Sequence, residues 1–121
     1  MTPVEFRRLA LRLPEAVEGA HMGHADFRVG GRIFATLGYP NAGFAVVMLS
    51  PQDQDLIVRD HPRVFAPVKG KWGASGSTTV TLDAVGKASV AAVTAAVEAA
   101  WRKRAPKRLL AVLEKPPADE V

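Results

Sequence analysis

The stretch His24-Ala25-Asp26-Phe27-Arg28-Val29-Gly30-Gly31-Arg32-Ile33-Phe34-Ala35-Thr36-Leu37 decides the fold. Its first half alternates: His24, Asp26 and Arg28 are polar, while Ala25, Phe27 and Val29 are apolar, the pattern of a half-buried strand. Gly30-Gly31 is a two-residue hairpin turn, because such turns need positive φ and glycine accepts it without steric cost. The return strand runs from Arg32 to Tyr39. A second turn, Pro40-Asn41-Ala42-Gly43, leads into the apolar run Phe44 to Leu49, which reads as a central strand. Upstream, Glu18 to His21 reads as a short strand or an extended lead-in.

Outward from this meander, capping signals place the helices. Thr2-Pro3-Val4-Glu5 combines a cap, a proline at the first helical position and the acid of a capping box. Phe6, Leu9, Ala10 and Leu13 follow at helical spacing, so a helix is expected over about residues 3–13. Ser50-Pro51-Gln52-Asp53 repeats the logic and predicts a helix over 51–60, stopped by His61-Pro62. Val64 to Val68 is an edge strand, since Pro67 cannot donate to a ladder. Lys69 to Ser77, with three glycines, reads as a loop, and Thr78 to Asp83 as a strand. Val90, Val93, Val97 and Trp101 mark a helix over 88–104. Pro106 breaks or kinks it, and Lys107 to Leu113 can add a turn or two. The expectation is an α+β, two-layer domain over residues 1–113, with a mobile tail over 114–121. Its order is α-β-β-β-α-β-β-α, with a five-stranded antiparallel sheet covered by helices on one face.

Composition narrows the function. The chain has 121 residues, 48% of them hydrophobic and 23% charged, which is ordinary globular usage. It contains no cysteine, which excludes disulfides, thiolate catalysis and Cys-ligated zinc. The first residues lack the basic start and apolar run of a signal peptide, and no apolar run is long enough for a membrane span, so the expected location is the cytoplasm. Net charge is +4, and it is unevenly placed. Ala99 to Lys115 holds six basic residues and one acid, for +5, while the rest of the chain carries −1. Such a cluster is either a solvated helix face or an attractor of phosphate.

Candidate chemistry is sparse. His21, His24 and Asp26 are metal-ligand types, but in an extended strand His24 and Asp26 share a face and His21 takes the opposite one unless Gly23 bends the chain. No metal site is therefore expected. No GxSxG, SxxK, phosphate-cradling glycine motif or paired acid/base carboxylates are present, so neither catalytic residues nor a cofactor is assigned. Lys69 and Lys71 could touch a phosphate backbone from the tip of a loop. Trp72 is expected to pack beneath that loop, with base stacking as the alternative.

Taken together, Leu13-Pro14-Glu15, Gly23 to Leu37, Phe65-Ala66-Pro67-Val68, Trp72-Gly73, Thr79-Val80-Thr81-Leu82 and Ala105-Pro106-Lys107-Arg108 resemble the MmcQ/YjbR-like family from Phe6 to about Ala111. The resemblance implies a small α+β domain of a kind described as double-wing and DNA-binding, without established catalytic residues. Read this way, the chain is a non-enzymatic DNA-binding or regulatory protein. Its candidate phosphate contacts are Arg28, Arg32, Lys69, Lys71, Arg102, Arg104, Lys107 and Arg108. The alternative is a module that binds a protein or small ligand on the exposed sheet face near His24, Asp26, Arg28 and Trp72. Clustering in space separates the two: basic residues sharing one surface favour nucleic acid, and a concave pocket around His24 and Trp72 favours a ligand.

Overall fold

The computed structural model describes residues 1–114. The elements are α1 (Pro3–Leu11), β1 (Val17–His21), β2 (His24–Val29), β3 (Arg32–Leu37), β4 (Phe44–Met48), α2 (Pro51–Asp60), β5 (Phe65–Pro67), α3 (Lys71–Ala74), β6 (Ser77–Thr81), α4 (Val90–Arg104) and α5 (Lys107–Glu114). A 3-10 turn, Leu82–Ala84, follows β6. The expected tail over 114–121 lies outside the described residues, apart from the backbone of Glu114 at the end of α5.

Both helix starts form as their caps dictate. Thr2 Oγ1 accepts from the Glu5 amide while Glu5 Oε1 accepts from the Thr2 amide. Ser50 Oγ accepts from the Asp53 amide. Each arrangement satisfies amides that the first turn leaves without partners.

The sheet is antiparallel with order β1-β2-β3-β4-β6-β5, so β5 is an edge as its proline requires. It has six strands rather than five. The ambiguous segment before the hairpin is a full strand, paired from Val17↔Arg28 to His21↔His24. It has little apolar signal because it is mostly exposed and is held mainly by its ladder with β2. Two further expectations are corrected. The glycine-containing segment before β6 forms the one-turn helix α3, and Asp83 belongs to the 3-10 turn instead of the strand. The terminal helix breaks at Ala105-Pro106 and resumes as α5, because proline lacks the amide that would continue it.

Register assigns the two faces. Phe27↔Ala35, Ala35↔Val47, Ala45↔Val80 and Val80↔Phe65 align on the buried face. An extra residue, Phe34, bulges from β3 and is also fully buried. α4 packs on β3 and β4, and α1 packs on α4 and β3. α2 packs against β5, and its Ile57 and Val58 join the same core. Trp101 is sealed here, donating Nε1–H to the Pro14 carbonyl at 3.0 Å. The opposite face carries the rows Asp26↔Thr36↔Val46↔Thr79, Arg28↔Ile33 and Met48↔Ser77. Among the described residues no long helix covers it. At one end the short α3, seated by Gly73 and Gly76, stands over it, so the helices do not all lie on one face as expected. A Cβ at Gly73 would strike the Val68 carbonyl, and one at Gly76 the Leu49 carbonyl.

Candidate functional site

The open sheet face is organised around Asp26. Its side chain is fully buried, although its strand parity reads as solvent-facing. Arg28 donates to both carboxylate oxygens, Nε to Oδ1 at 2.7 Å and Nη2 to Oδ2 at 2.9 Å. His21 Nδ1 lies 2.8 Å from Oδ2 and donates there. Space for this arrangement comes from Gly19 on β1, where a Cβ would sit 3.0 Å from Asp26 Oδ1. The Arg28 hydrogen bond, aided by His21, holds the Asp26 carboxyl below the usual range against the opposing effect of burial. In return, Asp26 raises the Arg28 pKa. Asp26 is thus an internal anchor that fixes Arg28 and His21, and its oxygens are committed to them.

The parity of His21 was expected to depend on whether Gly23 bends the chain. The turn at Met22-Gly23, both at positive φ, reverses the chain and places His21 directly across from His24 on the same face. Tyr39 continues this row of rings, with centroids 6.5 Å apart for His21–His24 and 6.2 Å for His24–Tyr39, both edge-on. Trp72 is 70% exposed rather than packed beneath its loop, because α3 projects it over the open face.

Between these groups lies a groove with two adjoining lobes that share His21, Met48, Trp72 and Ser77. One lobe, of about 550 Å³, brings together Arg28, Arg32, Lys103 and Arg104 beside Ile33 and Met48. The other, of about 310 Å³, is floored by Val46, Met48 and Val68 and walled by His24 and Tyr39. Volumes of this order are those of small-molecule sites. No Asp or Glu side chain lines either lobe. Lys103 donates Nζ to the Leu49 carbonyl at 2.9 Å. Loss of solvent pushes its ammonium below the usual lysine range, and Arg104 and Arg32 push it further while Asp53 opposes them. Arg104 Nε is buried and has no hydrogen-bond partner among the described residues.

Of the eight cations considered for phosphate contact, Arg28, Arg32 and Arg104 converge in the groove. Lys69, Lys71, Arg102, Lys107 and Arg108 do not line it. Arg102 pairs with Glu98 at 3.2 Å, and Arg108 forks onto both oxygens of Glu15 at 2.8 and 3.0 Å. Of the ligand-site residues, His24, Arg28 and Trp72 border the groove, while Asp26 lies beneath it. Lys103, Tyr39, Met48 and Ser77 escaped the sequence reading. Among these, Lys103 was visible only as one more charge in a basic run. Among the described residues, no three His, Asp or Glu side chains are grouped so as to hold a metal ion.

The YjbR family model matches residues 11–103, which include every groove-lining residue except Arg104. The chain belongs to the YjbR family. In fold, this YjbR protein is similar to the crystal structure of Deinococcus radiodurans protein DR2400, described as a DUF419 domain. The TM-score is 0.69 with 20% sequence identity, over 95% of this chain and 89% of that one. No curated protein matches the chain. No helix among the described residues of this YjbR protein is long and apolar enough to cross a membrane.

Proposed function

We propose that this YjbR protein is a non-enzymatic binding module that takes an anionic ligand in the groove of its open sheet face. The carrying observation is the convergence of Arg28 from β2, Arg32 from β3 and Lys103 and Arg104 from the end of α4 on one concavity that no acid lines. Only Arg28 among them has a carboxylate partner in the described residues, Asp26. Gathering positive charge over an apolar floor costs solvation and repulsion, and an incoming anion offsets both.

Backbone contact with duplex DNA, the reading that the family resemblance favours, draws less support. Its cations divide between the groove and positions on the loop before α3 and on α3, α4 and α5. Those in the groove sit in a hollow with Met48 and Trp72 rather than along a ridge that a duplex could follow.

The test is an amide chemical-shift titration with inorganic pyrophosphate at low and at high salt. Shifts centred on Arg32, Ile33, Met48, Ser77 and Arg104, weakening with salt, are expected. No shift in the groove, together with a random-sequence duplex perturbing Lys69, Lys71, Lys107 and Arg108, would replace this reading with the DNA one.

A further inference from the structure

We infer that the occupant is a small phosphate ester carrying a flat aromatic ring, the chemistry of a nucleoside monophosphate, with its phosphate among Arg32, Lys103 and Arg104 and its ring against Trp72 and Met48. This rests on the anion-binding reading above and adds a ligand class to it.

The two lobes differ in kind and are contiguous. The basic lobe gathers three cations besides the anchored Arg28, and the mutual crowding of Lys103, Arg104 and Arg32 is one of the causes that depress the lysine. That surplus matches a dianion better than a single carboxylate. The unpartnered Arg104 Nε is a further donor without an acceptor among the described residues. The other lobe has an apolar floor of Val46, Met48 and Val68, and Trp72, Tyr39, His21 and His24 stand around it beside Met22. Trp72 is 70% exposed and Tyr39 48% exposed, on a protein whose other tryptophan is fully buried. Exposed aromatic faces beside a basic channel are how proteins hold nucleobases, since every base has a π-face to stack. Shared walls at Met48, Trp72 and Ser77 mean that one molecule can engage both lobes. Ser75 and Ser77 border the basic lobe as well.

The probes are AMP, ribose 5-phosphate, adenosine and pyrophosphate, with affinities measured by calorimetry and the site read from amide shifts. AMP should bind at least about tenfold more tightly than ribose 5-phosphate, the increment expected for stacking one base. It should also quench the emission of Trp72, while Trp101, buried, serves as an internal reference. Trp72→Ala should reduce AMP to the affinity of ribose 5-phosphate. Arg104→Gln should reduce it towards that of adenosine. Thermal melts of both variants at the wild-type midpoint show that the fold is intact, and Trp72→Phe should recover much of the AMP affinity because a ring is restored. If AMP and ribose 5-phosphate bind equally and both shift groove residues, the ring assignment is wrong and the anion reading stands. If nothing, pyrophosphate included, shifts the groove, both fail. A short single-stranded oligonucleotide that binds where AMP does not would overturn the small-ligand assignment.

Discussion

The two faces of this sheet use the same strands and follow opposite rules. On the helix-covered face, Phe27, Ala35, Val47 and Val80 are wholly buried in one continuous apolar core. On the open face, Asp26 and Thr36 are buried as well, yet they are polar, and the surface above them is a groove with cations at one end and rings at the other. The first face is organised by removal from water. The second is organised by an ion pair and by side chains that stay partly solvated. Burial alone therefore does not mark the core in this molecule, and exposure does not mark an idle surface.

Perturbing each face in turn separates these rules. The largest effect belongs to the covered face: Phe27→Ala should lower the unfolding free energy by about 3–5 kcal/mol in a denaturant titration, because the cavity can collapse only in part. A loss below about 1 kcal/mol would mean that the faces are assigned the wrong way round. Gly76→Ala comes next, at about 1–3 kcal/mol, since a Cβ there meets the Leu49 carbonyl and the backbone sits at positive φ. It should also displace α3 and with it the Trp72 emission. Asp26→Asn should cost less than Phe27→Ala and act through pH. The Asp26 pKa is lowered in the folded protein, so its contribution is present above the ordinary carboxylate range and is lost as pH falls through the folded value. Acid melts should therefore show a shallower loss of stability in the variant than in the wild type, and parallel curves would remove Asp26 as the anchor. The smallest stability effect is Trp72→Ala, within about 0.5 kcal/mol by thermal melt, as expected for an exposed side chain. A larger loss would make Trp72 structural.

The hairpin from His24 to Leu37 was legible because alternation and a glycine pair act locally. The caps at Thr2 and Ser50 and the stripe Val90-Val93-Val97-Trp101 were legible for the same reason. β1 was legible only as one of two alternatives, since a strand held by its ladder needs no apolar face. α3 was not legible, because Gly70, Gly73 and Gly76 look like a flexible loop, whereas two of them are there for close backbone approach to Val68 and Leu49. Half of the site could be seen: Arg28, Arg32, Arg104, His24 and Trp72 were singled out, although for two different ligands. Their convergence could not be seen, because it depends on where the end of α4 meets β4, a tertiary relation that leaves no local pattern. His21 was left open, because its face depends on whether Gly23 bends the chain, and the turn at Met22-Gly23 does so. Lys103 was hidden in a run with Arg102 and Arg104, which it resembles in charge, although Arg102 does not line the groove.

Gln54, the buried polar residue of α2, has a kinetic consequence. Its amide Nε2 donates to the Gly73 carbonyl at 2.9 Å, the Ser77 carbonyl at 3.1 Å and Thr78 Oγ1 at 3.2 Å. One side chain thus ties the segment that runs from α3 to the start of β6, just after Trp72, to a helix packed mainly on β5. The amides inside that segment, Ala74 bonded to Gly70, Ser75 to Lys71 and Gly76 to Gly73, lie in a single short turn with little protection of its own. Their deuterium exchange should follow the detachment of α2 rather than the fraying of α3. The two would then open as one cooperative unit below the global unfolding limit, and the lifetime of the groove wall would be set by a helix that does not touch the groove.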